Sequence, residues 1–187
     1  MSQENILVVD CQYDFIDGSL ACGGADEAVK NIVSYINERP DAKIFYSLDS
    51  HSLKHCSYIN NGGTWPVHCN TGTHGAELHE LFYTAIKNPS QRPNDNNMYY
   101  KGTDDNVEEY SAFNAKNKSG HALNQDVNTN ELTVLGIASE FCVRESVLAF
   151  MDAGKKIKLV QNSVAWVDHD GHIKNLNDLK SRGVNVA

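Results

Sequence analysis

Apolar residues along this chain follow two rhythms. Short continuous runs, Ile6 to Val9, Lys43-Ile-Phe-Tyr-Ser-Leu48, Leu132 to Ile137 and Lys156-Ile-Lys-Leu-Val160, have the pattern of strands covered on both faces of a parallel sheet. Between them lie stretches with helical spacing. Ala25 to Arg39 is apolar at Ala28, Val29, Ile32, Val33 and Ile36 and is stopped by Pro40. Arg144 to Gly154 continues Val143 with Val147, Phe150 and Met151 on one side, and closes at Gly154 with Lys155 and Lys156 beyond. A third helix is expected after Asp170, read as its N-cap, with Ile173, Leu176 and Leu179 inward and Gly183 as the stop. Weaker patterns predict a short helix over Glu77 to Lys87, a short strand Met98-Tyr-Tyr-Lys101-Gly102, a short helix within Ser119 to Asn130 and a closing strand Val184 to Val186. Asp104 to Asn114 reads as turn, polar helix or loop. Strand, helix and strand in alternation predict right-handed βαβ units. The expected fold is therefore a three-layer α/β architecture over residues 1–187, with a mostly parallel, doubly wound, Rossmann-like sheet flanked by helices.

Polar residues then matter by position. Open α/β sheets gather their chemistry outside the carboxyl ends of the strands. Asp10 closes the first expected strand, Asp49-Ser-His51 the second and Lys101 the short Met98 run, while Cys142 follows the Leu132 strand. Each has a plain alternative: Asp10 could cap a turn, Lys101 be a solvated charge and Cys142 a packing residue. A thiol where strand gives way to helix feels the positive end of the helix dipole, which favours thiolate. Free N–H groups there can also hold an oxyanion. Asp49 and His51, two apart in extended chain, point the same way, which suits two ligands of one metal. The loop Ser52 to Gly75 adds His55, His68 and His74. A structural zinc site from His55, Cys56, His68 and Cys69 is the weaker reading. Adjacent residues of an extended chain face opposite sides, and no C-x-x-C pair is present. Asp168-His-Asp-Gly-His172 looks metal-like, but a helix cap accounts for it.

Composition narrows the partners. A formal net charge of −8 argues against nucleic acid or an anionic membrane. No apolar run approaches the roughly 18 residues of a membrane helix. The opening Met-Ser-Gln-Glu-Asn lacks the basic start of a secretory signal, so a cytoplasmic location is expected. The 5 cysteines, odd in number and irregularly spaced, are expected to be reduced thiols.

Several motifs acquire meaning from their joint order. They are Asp10-x-Gln12-x-Asp14-Phe15, Asp49-x-His51, Thr64-Trp-Pro-Val-His68-Cys-x-x-Gly72-Thr-x-Gly75-Ala76, Lys101-Gly102 with Tyr110-Ser-Ala-Phe113, and Gly136-Ile-Ala-Ser-Glu-Phe-Cys142-Val143. On these motifs the chain resembles the isochorismatase-like cysteine hydrolases, and within them the nicotinamidase/pyrazinamidase group. The resemblance implies a catalytic triad of Asp10, Lys101 and Cys142. It implies an oxyanion hole from the backbone N–H groups of Ala138 and Cys142, with a cis peptide between Ile137 and Ala138. Phe15, Trp65 and Tyr110 would form aromatic walls around a substrate ring. One divalent metal, zinc first and iron or manganese as alternatives, would sit on Asp49, His51 and His68, with His55 as the candidate fourth ligand, and would orient that ring. The implied reaction is hydrolysis of nicotinamide, and of pyrazinamide, to the acid and ammonia through a thioester, in NAD salvage. The expected partner is thus a small molecule, and assembly as a homo-oligomer is left open.

The chain departs from the family pattern in places. Ser50 and Ser52 stand where tryptophan and proline are usual, and Ser57 where some relatives carry histidine. The stretch from Lys101 to Tyr110 is longer than in many relatives. Two alternatives stay open: a sister hydrolase of the same fold acting on another small amide or on isochorismate, and a non-catalytic metal-binding module.

Overall fold

The structure, a computed structural model that describes residues 3–187, builds its sheet outward from strand β1 (Asn5–Val9), whose five residues are all buried. After α1 (Tyr13–Ile16) and α2 (Ala25–Asn37) come β2 (Lys43–Asp49), the single turn α3 (Leu81–Thr84) and β3 (Met98–Lys101). Then follow α4 (Leu123–Asp126), β4 (Glu131–Gly136), α5 (Arg144–Asp152), β5 (Lys156–Val164), α6 (His169–Ser181) and β6 (Asn185–Val186). The strands stand in the order β3-β2-β1-β4-β5-β6, and every pairing is parallel.

Side chains alternate across each strand, and the two faces feed two cores. Ile6, Val8 and Tyr46 face Ile32 and Ile36 of α2 on one side. Leu7, Val9 and Phe45 face Val147 and Phe150 of α5 and Leu179 of α6 on the other. Burying each such large apolar side chain contributes about 1.5–3 kcal/mol. The chain winds from β1 out to β3, then returns to β4 on the opposite flank of β1. The strand order therefore reverses between β1 and β4, and a crevice opens at their carboxyl ends.

Three expectations are corrected. The helix expected over Glu77 to Lys87 shrinks to one turn, because its first residues pair in extended form with the chain beyond β1. Leu78 bridges Gln12, and Cys11 O accepts from His79 N. The cap of the last helix is Asp168 and not Asp170: Asp168 is extended and its carboxylate accepts from Gly171 N at 2.7 Å, whereas Asp170 already lies in the first turn. β5 runs on to Val164, past a register shift against β4. Elsewhere the short elements stay within their expected spans, with α4 inside the Ser119 to Asn130 stretch.

β1 and β4 meet most closely at Val9 and Gly136, the last rung before the crevice. Gly136 has φ 122°, and a Cβ there would lie 2.2 Å from Val9 O. Gly136→Ala should therefore cost about 1–3 kcal/mol or more, read as a melting temperature several degrees lower. An unchanged melt would show that the two strand tips are not tightly joined.

Candidate active site

The carboxyl tips of β1, β2 and β3 are neighbours, so their last side chains converge. Asp10 N still donates to Ser47 O, but Asp10 itself has φ 45°, a left-handed conformation uncommon outside glycine, and the chain turns away there. Its carboxyl group is fully buried, and Ser47 Oγ donates to Oδ1 at 2.6 Å. Ser47 received no role from sequence; a hydroxyl inside an apolar strand was its only signal. Lys101 ends β3 in register with Asp49. Its ammonium, 1% exposed, lies 2.9 Å from Asp10 Oδ2, touches Asp49 Oδ1 and reaches Cys142 Sγ at 3.5 Å. A buried ammonium needs such partners. Burial pushes Asp10 above the usual carboxylate range, and Lys101 offsets this only in part. Burial acts on Asp49 in the same direction, but Lys101 and His51 together outweigh it and hold Asp49 well below that range.

Cys142 is carried by one π-helical turn, Ser139–Val143, which follows a cis peptide between Ile137 and Ala138 and runs into α5. The Ala138 carbonyl accepts from Phe141 N and Val143 N, while the Ala138 N–H has no backbone partner among the described residues. Ala138 and Cys142 both line the same cavity. The Asp10 and Asp49 carboxylates and Cys142 Sγ lie within 4.8 Å of one another. Burial raises the Cys142 thiol well above its ordinary range, against a lowering by Lys101. The bias toward thiolate expected from the helix terminus is therefore outweighed by burial. The sulfur sits inside a buried helical turn flanked by two carboxylates, and it needs a base.

Asp49, His51 and His68 offer ligand atoms within 4.8 Å of one another, all buried. His51 Nδ1 donates to Gly102 O and His68 Nδ1 to Pro66 O, both at 2.7 Å. Those carbonyls fix the tautomers and leave each Nε2 lone pair free, as a metal ligand requires. Asp49 Oδ2 stands 3.6 Å from His51 Nε2. Burial keeps His68 below its ordinary pKa, hence neutral. A hard carboxylate with two imidazoles suits zinc or a neighbouring first-row divalent ion, so the residues present fit the implied metal. Gln12 fixes this corner, because Asp49 N donates to Gln12 Oε1 and Gln12 Nε2 donates to Asp49 O, both at 2.8 Å. His55 is not brought into the group. Its Nδ1 meets Ser57 Oγ, its Nε2 meets Val107 O, and its ring stacks 3.9 Å from that of His51. His74 pairs with Glu77 at the surface. The weaker alternative of His55, Cys56, His68 and Cys69 is likewise not gathered among the described residues.

The Isochorismatase domain model matches residues 4–187. The chain belongs to the isochorismatase family. It is 26% identical over 191 residues to the nicotinamidase of Escherichia coli, covering 90% of this chain and 85% of that protein. Among solved structures it is similar to a pyrazinamidase of Pyrococcus horikoshii in complex with zinc, at 27% identity, with a TM-score of 0.84 and coverage of 100% and 99% of the two chains. It is also similar to PnC1 from L. infantum in complex with nicotinate, at 26% identity, with a TM-score of 0.83 and coverage of 99% and 92%.

In this isochorismatase-family chain the crevice is walled by aromatic rings. Phe15 packs 5.5 Å from His68, and Trp65 Nε1 donates to Tyr110 Oη at 3.0 Å. Phe141 lies edge-on to Trp65 at 5.0 Å and 5.7 Å from Tyr110. Phe15, Trp65 and Tyr110 thus share one cavity with Phe141, which sequence reasoning passed over although an aromatic residue beside Cys142 was its signal. Leu20, Cys22, Val167 and Glu108 also line this cavity and came with no local signal. All 5 cysteines are free, and no helix among the described residues is long and apolar enough to cross a membrane.

Removing the central cation should be more damaging than an ordinary core change. Lys101→Met leaves two buried carboxylates without their ammonium, and a loss of about 3–5 kcal/mol in chemical denaturation is expected. A near-neutral result would mean that Asp10 and Asp49 are held by something else.

Proposed function

We propose that this chain is a metal-dependent cysteine amidohydrolase that converts nicotinamide, and pyrazinamide, with water to the corresponding acid and ammonia. One observation carries the reading: a single buried ammonium, Lys101, touches the Asp10 carboxylate, the Asp49 carboxylate and the Cys142 sulfur beside an aromatic cavity. The relatives named above support it. Glu108 on the cavity wall favours a neutral carboxamide over the dianionic isochorismate. We read the chain as one domain acting in the cytoplasm to recycle nicotinamide toward NAD.

In this mechanism Asp10 accepts the thiol proton. Its raised pKa suits a base that must later act as an acid. The sulfur attacks the carboxamide carbon, and the N–H groups of Ala138 and Cys142 hold the resulting oxyanion. Asp10 returns its proton to the leaving nitrogen, the C–N bond breaks, and ammonia departs from a thioester. Asp10 then takes a proton from water, whose oxygen attacks the thioester carbon; the C–S bond breaks, Asp10 returns that proton to the Cys142 sulfur, and the acid is released. Lys101 stays charged throughout and balances the two aspartates. Trp65, Tyr110 and Phe15 flank the ring and exclude water. Asp49, His51 and His68 would hold the metal, zinc first with iron or manganese as alternatives, which when bound supplies a positive centre for the ring nitrogen. His55, stacked on His51, supports that ligand from behind.

Two outcomes test this. Cys142→Ala should lose all measurable ammonia release while still binding nicotinamide in calorimetry; appreciable residual turnover would remove sulfur as the nucleophile. His51→Ala should lose stoichiometric zinc by elemental analysis and bind nicotinamide at least about tenfold more weakly. Full metal content in that variant would displace the assigned cradle.

A further inference from the structure

The motif Asp168-His-Asp-Gly-His172 does more than start a helix. Two of the three residues between Ala138 and Cys142 in the nucleophile turn, Ser139 and Glu140, are tied to the segment from Ala165 to Asn175. Ser139 N donates to Ala165 O at 2.8 Å. The Glu140 carboxylate accepts from Val167 N and Asp168 N. Asn175 Nδ2 donates to Ser139 O at 2.6 Å and to Ser139 Oγ at 3.1 Å. Arg144 Nη1 donates to Asn175 Oδ1 at 2.7 Å, which fixes which way the amide faces. Ser139 Oγ, which accepts from Asn175, also shares a hydrogen bond with His172 Nδ1, 2.8 Å away. His172 thus closes a chain of bonds, and Trp166 stacks on its ring at 4.8 Å. Ser139, His172 and Asn175 are all buried, and none of them lines the cavity.

We infer that His172 and Asn175 are positioning residues, a latch on α6 that holds the turn bearing the nucleophile and its oxyanion donors. This rests on the proposed roles of Ala138 and Cys142. Three hydrogen bonds onto one serine leave that residue a single orientation, and the turn cannot rotate without leaving buried polar groups unpaired. Since the latch touches no cavity residue except through the turn, its loss should appear in the chemical step and not in substrate binding.

The test uses Asn175→Asp, which sets a carboxylate oxygen against the Ser139 carbonyl. It also uses His172→Leu, which removes the hydrogen-bonding ring nitrogen, and His172→Asn, whose side-chain amide can replace Nδ1 as donor or acceptor. Asn175→Asp and His172→Leu should lower kcat between about 10- and 100-fold while KM stays within about twofold of wild type, and His172→Asn should recover most of the rate. An unchanged kcat, a change confined to KM, or a His172→Asn variant as impaired as His172→Leu would overturn the latch. If Asn175→Asp fails to give a cooperative melt, the two His172 variants decide. Should wild-type protein hydrolyse no carboxamide, the proposed function falls on that result alone. The latch is then read from the rate at which iodoacetamide alkylates Cys142, followed by mass spectrometry. Faster alkylation in Asn175→Asp and His172→Leu, but not in His172→Asn, supports it; equal rates in all three defeat it.

Discussion

A buried ammonium cannot stand alone, and the carboxyl edge of this sheet is arranged around that constraint. Lys101 is 1% exposed, so its charge must be met inside the protein. It is met from two directions, by Asp10 at the tip of the central strand and by Asp49 at the tip of the strand between. Parallel pairing in register makes this geometrically inexpensive, since Asp49 faces Lys101 across one ladder and Ser47 O carries the other past Val9 to Asp10. Cys142, the proposed nucleophile, arrives from the opposite flank, because the strand order reverses between β1 and β4. Sulfur, two acids and an amine meet for a topological reason before any chemical one.

Asp49 joins two parts of the site that are usually described apart. One of its oxygens lies against Lys101 and the other faces His51 Nε2 at 3.6 Å. Anything that rotates this carboxylate disturbs the ion triplet and the metal cradle together. The Gln12 amide prevents that rotation from the backbone side, pairing with both the N–H and the C=O of Asp49 in the manner of an extra rung of sheet. Asp14 does similar service one turn later, its Oδ2 accepting from Cys69 N at 2.7 Å and so anchoring the loop that brings in His68. The loop is long, but it is also pinned from within, by the buried hydrogen bond that Tyr58 Oη donates to His68 O at 2.6 Å.

The same economy explains the protonation states. Burial raises Asp10 and the Cys142 thiol together, while Lys101 and the neighbouring His51 ring hold Asp49 in its charged form. The two acids touching one lysine are thereby driven apart in pKa. In the proposed mechanism that separation gives one of them proton transfer and leaves the other as ionised ligand and counter-charge.

The run Ile6 to Val9, the helical spacing of Ala28, Val29, Ile32, Val33 and Ile36, and the positions of Asp10, Asp49 and Lys101 at strand ends were legible from residue order, because periodicity and strand termini are local properties. The ordered motifs added the resemblance to the family, and with it the nucleophile turn. Other features were decided only when distant segments met. Glu77 and Leu78 gave up helix for extended pairing beside Gln12, since a tertiary partner outweighed weak local propensity. Ser47, Phe141 and Asn175 carry no pattern of their own, and the motif that holds His172 read only as a helix start; each has meaning only through a group 33 or more residues away, or across a cavity. Burial and the neighbouring carboxylates push the Cys142 thiol upward, against the helix dipole that sequence position alone brings to mind. Residue order determined which strands form and what stands at their tips. Only the folded chain decided which tips touch and how dry the contact is, because desolvation and Coulomb forces act through space and not along the sequence.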